Sequence, residues 1–160
     1  MKRLIVVLCA VGFIVALPMS HVVFAASKGA VKADMVVHTD TGTPEMPAGT
    51  VVGSVILNTT AKGCLIVVVN LDDGVKGVYD SLVHINGTKI IDQVAVDCLK
   101  VNAKGQGTAN YKVDLEEVDI PEGATAISVK VVVRPSFGPN TTPCYVNGPK
   151  WPTEVAVPLK

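Results

Sequence analysis

Apolar residues along this chain come in short valine-rich runs separated by turn residues, and no run after the first 26 residues shows the 3.6-residue period of an amphipathic helix. The runs are VVGSVILN (51–58), CLIVVVNL (64–71), VYDSLVHIN (78–86), TKIIDQ (88–93), VAVDCLKV (94–101), GTANYKVDL (107–115), ATAISVKVVV (124–133) and TEVAVPL (153–159). Between them stand Ala61-Lys62-Gly63, Asp72-Asp73-Gly74, Asn86-Gly87, Asn102 to Gly105 and Pro121-Glu122-Gly123. Strands punctuated by turns every ten residues or so predict an all-β, antiparallel sandwich or barrel. Asn86-Gly87 is the strongest hairpin signal, because a type I′ turn needs positive φ at both central residues.

Within this pattern, Cys64 to Leu71 carries almost no polar residue and reads as a central strand covered on both sides. GTANYKVDL alternates and reads as a strand with one wet face. The tripeptide AKG precedes a strand with an acidic stop twice, at 61–63 and 103–105. Residues 27–50 are rich in Ala, Gly, Thr and Pro and read as a flexible N-terminal segment, with DMVVHT (34–39) as a candidate edge strand. PSFGPNTTPCYVNGPKWP (135–152) is the one long loop expected, and long loops in compact domains commonly carry function.

The N-terminus breaks the pattern. Lys2 and Arg3 precede an apolar run from Leu4 to Leu17, then Pro18, Ser20 and His21, then a small residue at Ala25. Residues 1–26 read as a signal peptide, an apolar signal helix too short for the roughly 20 residues of a bilayer span. The expected location is therefore the cell envelope or the extracellular space, with membrane contact only through the signal segment if it is uncleaved. About 135 residues remain, divided as the 27–50 segment and one domain over 51–160. Without Lys2 and Arg3, 12 basic residues face 14 acidic ones, and Arg134 is the one arginine left. That balance gives no basic stripe for nucleic acid.

Cys9 leaves with the signal, so Cys64, Cys98 and Cys144 remain. An oxidising compartment predicts one disulfide and one odd thiol. If the strands alternate up and down in sequence order, Cys64 follows an upper turn while Cys98 and Cys144 lie toward the lower end. Cys98–Cys144 is the preferred pair, worth roughly 4 kcal/mol by loop-closure entropy.

Candidate chemistry is sparse. Alternation puts Asp80, Leu82, His84 and Asn86 on one face of their strand and the more apolar Tyr79, Ser81, Val83 and Ile85 on the other. His84 thus faces outward, and His38 is the only other histidine after the signal. Two scattered histidines do not make the three or four converging ligands of a zinc or copper site, so no metal and no cofactor are expected. None of Ser54, Ser81, Ser128 and Ser136 lies in a G-x-S-x-G elbow, and no catalytic residue is expected. Asp114, Glu116, Glu117, Asp119 and Glu122 read as a charged strand end that keeps an edge soluble. Tyr145 and Trp151 are candidate ligand contacts on the long loop, able to stack on sugars or fill a partner's pocket. Asn58, Asn86 and Asn140 head three glycosylation sequons.

The order of VVGSVILN, a hairpin into an apolar strand, the strand holding His84, and the glycine-rich hairpin NAKGQGTANYKV resembles secreted superoxide-dismutase-like and CHRD-like β-sandwich domains over about residues 51–115. With the strand pattern, the resemblance implies an all-β antiparallel sandwich of about seven to nine strands, immunoglobulin-like or copper-zinc-superoxide-dismutase-like in architecture. It does not carry the metal ligands, because Leu82 or Asn86 stands where the second histidine of an H-x-H pair belongs and no histidine follows His84. The function expected is a non-enzymatic exported module that binds a protein or glycan partner or contributes to a surface structure. A carbohydrate-binding module using the loop aromatics and a strand-donating filament subunit are the alternatives, and a metal-dependent oxidoreductase ranks last.

Overall fold

The computed structural model describes residues 29–90, 95–136, 142–147 and 154–160, and the stretch read as a signal peptide lies outside them. The described residues contain ten strands and no helix: β1 (Val31–Val37), β2 (Val51–Thr60), β3 (Cys64–Leu71), β4 (Gly77–Ile85), β5 (Thr88–Lys89), β6 (Ala95–Val101), β7 (Gly107–Asp114), β8 (Ala126–Pro135), β9 (Tyr145–Asn147) and β10 (Val155–Pro158). They form one curled antiparallel sheet in the order β5-β4-β8-β9-β1-β2-β3-β7, with β6 also on β4 and β10 also on β8. All pairings are antiparallel, so the expected up-and-down alternation of strand direction is present. Spatial neighbours, however, are not always sequence neighbours: β3 pairs β7, and β4 pairs β8.

Alternation explains the core. Leu65, Val67, Val69 and Leu71 of β3 are buried inward with Val55 and Leu57 of β2, Val83 and Ile85 of β4, and Val129, Val131 and Val133 of β8. The opposite residues of β3, Ile66, Val68 and Asn70, are half-buried, so this strand is central by pairing but covered on one side only. β7 has the wet face its sequence predicts, with Thr108, Asn110, Lys112 and Asp114 exposed. The two AKG turns lead into β3 and β7, which pair with each other from Cys64↔Asp114 to Leu71↔Gly107. Gly53 is required where β2 and β3 approach, since a Cβ there would lie 2.0 Å from the Asn70 carbonyl oxygen.

The hairpin signal holds. Asn86 (φ 50°) and Gly87 (φ 79°) join β4 to β5, and Ile85 pairs Thr88.

Two expectations are corrected. The stretch taken as a flexible segment with an edge strand contains β1, an interior strand paired with β2 on one side and β9 on the other. Its Met35, Val36 and Val37 are buried, and that apolar triplet supplies the reason. The proline-rich loop contains β9, a three-residue strand that fills the slot between β8 and β1.

The sheet has a polarity. Val31 pairs Leu57, the Lys160 ammonium donates to Asn58 Oδ1 at 2.8 Å, and a Cβ on Gly29 would lie 3.2 Å from Lys160 Cε. The start of β1 and the last residue therefore share the end that holds the β2–β3 hairpin. Loops 38–50, 72–76 and 102–106 lie at the other end.

Candidate functional site

The densest polar constellation lies toward that second end, on β4. Asp80 is buried although it points away from the core. Its Oδ1 accepts from the Ser136 hydroxyl at 2.5 Å and from the Asp97 N–H at 3.0 Å, and Arg134 lies 3.6 Å from Oδ2. Burial opposes ionisation, yet Ser136, the Asp97 N–H and Arg134 together hold the carboxyl below its usual range. The geometry has a local cause. β4 and β6 slip register between Tyr79↔Leu99 and Ser81↔Ala95, and Asp97 adopts φ 50° in that bulge. The carboxylate satisfies the Asp97 N–H at the irregularity.

On the inner side of the same strand, Ser81 is fully buried and its hydroxyl meets the Tyr111 phenol of β7 at 2.5 Å. The Tyr79 hydroxyl donates to the Val75 carbonyl at 2.7 Å, and the Val75 N–H donates to the Tyr145 hydroxyl at 2.8 Å. The two rings tilt at 39° with centroids 5.6 Å apart. Burial pushes the Tyr79 and Tyr111 phenols far up, so both stay protonated. These groups join β4, β7, β9 and the 72–76 loop; each hydroxyl is spent on a structural hydrogen bond.

His84 heads a second row. Lys89 and Lys130 are its direct cross-strand partners, on β5 and β8. Burial, then Lys130, then Lys89 lower the histidine's affinity for a proton, against a smaller opposing pull from Glu154. Glu154 accepts from the Ser128 hydroxyl. Burial lowers the Lys130 ammonium as well, with Glu154 opposing. The face His84 shares is less wet than alternation implies. Leu82, Val132, Val146 and Val36 are successive register partners across β4, β8, β9 and β1, and Leu82, Val146 and Val36 are each under 5 % exposed.

The predicted site residues are placed as follows. Cys98 and Cys144 are free thiols, and the expected bridge is not formed. Cys98 lies level with Asp80 on β4, Asp80 pairs Arg134 on β8, and Cys144 precedes Tyr145, which pairs Val133. Two strands thus separate the cysteines, about 14 Å along the sheet at 4.8 Å per strand, against a Cα separation of roughly 4.4–6.8 Å in a disulfide. The Greek-key order of the neighbours is the physical reason. Burial pushes both thiols up. Cys64 is buried at the far end, its Sγ 3.5 Å from the Lys62 carbonyl oxygen.

Tyr145 is fully buried in the core rather than on a loop surface, with its hydroxyl engaged internally. Trp151 and Asn140 lie outside the described residues. Asn58 stands on β2. The Asn86 side chain is engaged at both atoms: Oδ1 accepts from the Ser128 N–H at 3.0 Å, and Nδ2 reaches the Asp119 carbonyl at 3.4 Å. Asp114 caps its own turn through the Glu116 N–H. Among the described residues, no three His, Cys, Asp or Glu side chains converge as metal ligands.

Sequence reasoning missed the Asp80 constellation and Asn147. The only signal for the first was an aspartate inside an otherwise strand-like run. Asn147 gave none, because its role depends on β8 lying beside it. The chain matches no protein-family model, no curated protein and no solved structure.

Proposed function

We propose that this chain is an exported, non-enzymatic β-sandwich module of the cell envelope or extracellular space that binds a partner through the loop end opposite its termini. The curled sheet divides naturally into two halves, β1-β2-β3-β7 and β6-β4-β8-β9-β10, whose inward residues make one core. The Ser81–Tyr111 bond between β4 and β7 supports reading them as packed layers.

The observation that carries the binding reading is where exposed apolar surface falls. Val96 on β6 is 66 % exposed, Val51 is 55 % exposed, and Val75 and Val78 are each 36 % exposed. Three of these four, Val51, Val75 and Val78, lie at the end away from Gly29 and Lys160, Val51 beginning β2 and the other two flanking the entry to β4. Asp72, Asp73, Lys76 and Lys100 surround the valines with charge of both signs, the composition of an interface core with a polar rim. The polar groups of β4 are meanwhile committed to holding strands together.

The test is capture of partners from envelope and culture-medium fractions by the tagged, secreted chain, beside a Val75→Asp, Val78→Asp double variant of unchanged circular dichroism. Specific capture lost in the variant supports the reading. Capture that the variant retains moves the interface elsewhere, and a chain retained wholly in the cytoplasm overturns the export reading.

A further inference from the structure

Asn86 combines two features that bear on its chemistry. Its successor is Gly87, exposed and without a side chain to shield its main-chain nitrogen. The turn also holds the Asn86 amide at three points: the main-chain N–H donates to the Ser128 carbonyl at 2.9 Å, Oδ1 accepts from the Ser128 N–H, and Nδ2 reaches the Asp119 carbonyl. Ser128 in turn donates its hydroxyl to Glu154, at the entry to β10. One side chain thus ties together the β4–β5 turn, β8 and the 116–125 loop.

We propose that Asn86 is a site of spontaneous hydrolytic deamidation, held off while this corner is closed and reacting when it opens. The Gly87 nitrogen attacks Asn86 Cγ, a five-membered succinimide closes with the new C–N bond, and the C–NH2 bond breaks. The amide nitrogen leaves as ammonia, taking the proton from Gly87. Water then adds to either ring carbonyl, the C–N bond at that carbonyl breaks and its nitrogen regains a proton from the water, giving aspartate or isoaspartate; nothing is oxidised or reduced. The attack requires Cγ to turn toward its own chain, which the bonds to Ser128 and Asp119 resist. Local opening, which folded proteins undergo at far lower cost than global unfolding, releases both.

The product does not rebuild the corner. In aspartate, an oxygen replaces the nitrogen that faced the Asp119 carbonyl, and a new negative charge is brought against the loop that holds Glu116, Glu117 and Asp119. Isoaspartate adds a backbone methylene to a two-residue turn and disturbs the Ile85↔Thr88 and His84↔Lys89 pairs. Opening is therefore recorded irreversibly.

The experiment incubates the whole secreted chain in mildly alkaline buffer, folded and in urea, with timed digestion and mass spectrometry. The peptide with Asn86 is resolved from that with Asn147, which also precedes a glycine. Rapid conversion of Asn86 in urea is expected, with at least roughly tenfold slower conversion in the folded chain, as a modest opening free energy demands. Low urea should raise the folded rate in step with hydrogen exchange at the Ser128 N–H. Gly87→Ala should slow the reaction in urea. Folded and unfolded rates within threefold of each other, or an Asn86 that stays intact in urea, overturn the proposal.

Discussion

Asn147 stands in for a strand beside Val131. Its Oδ1 accepts from the Val131 N–H at 2.7 Å, and its Nδ2 donates to the Val129 carbonyl at 3.1 Å. β9 ends at Asn147, and β10 begins at Val155, opposite Val129. The side-chain amide continues the ladder on β8 across that break. It has the donor and acceptor of a peptide group, which makes an amide the right side chain there. Asn147→Leu removes the acceptor of the buried Val131 N–H, while the Val129 carbonyl keeps its register partner Val155 on β10. The expected loss is about 1–3 kcal/mol of stability, read as a lower urea midpoint at unchanged m-value. Asn147→Asp should cost more, because it sets a buried carboxylate against the Val129 carbonyl.

Asp80 makes stability depend on acid. Its carboxyl is held below its usual range because burial, which opposes ionisation, is outweighed by Ser136, the Asp97 N–H and Arg134. A folded-state value below the unfolded one means that the unfolded chain takes up the proton first. The stabilisation is thus complete above the ordinary carboxyl range and is lost as pH falls through the folded value. Asp80→Asn should flatten the acid limb of a stability-against-pH curve and cost about 1–3 kcal/mol at neutral pH. The checks are urea titrations at a series of pH values, with faster hydrogen exchange expected at the Asp97 N–H, because a neutral amide oxygen accepts more weakly than the carboxylate.

Strand identity was legible where local pattern decides it. β2, β3, β4, β6, β7 and β8 lie within two residues of the apolar runs, and Asn86-Gly87 is the turn its positive-φ tolerance predicts. What depends on neighbours was not legible. Met35-Val36-Val37 is too short to distinguish an edge from an interior strand, and only β9 on its far side settles the matter. β9 itself is three residues among prolines. Asp80 looked like a wet-face residue because alternation gives a side, not what lies across it. The Cys98–Cys144 pairing rested on strand direction alone, and strand direction does not reveal that β4 and β8 lie between β6 and β9.

The thiols give a direct check on that topology. The chain without residues 1–26, purified and denatured without reductant, should titrate three thiols per molecule, from Cys64, Cys98 and Cys144. Before denaturation, alkylation should be slow, since Cys64 is buried and burial raises Cys98 and Cys144 above the ordinary thiol range. One thiol per molecule, with a Cys98–Cys144 peptide pair in the digest, would contradict the strand order between β6 and β9.

His84 sets a second pH dependence, near neutrality. Burial and the cross-strand lysines Lys130 and Lys89 lower its proton affinity in the folded chain, while Glu154 offsets part of that. The unfolded chain therefore binds the proton first as pH falls, and the folded state weakens below the ordinary histidine range. Lys89→Glu replaces an exposed neighbour by an opposite charge and should move the imidazole titration upward, with the folded chain holding its proton to higher pH. Lys89→Gln should move it in the same direction by less. Proton NMR titration of the His84 ring, separated from His38 by a His38→Gln background, reads this directly. A ring titrating at the unperturbed value in the wild type, and indifferent to both substitutions, would mean that His84 does not sit between the two lysines as the β5-β4-β8 register requires.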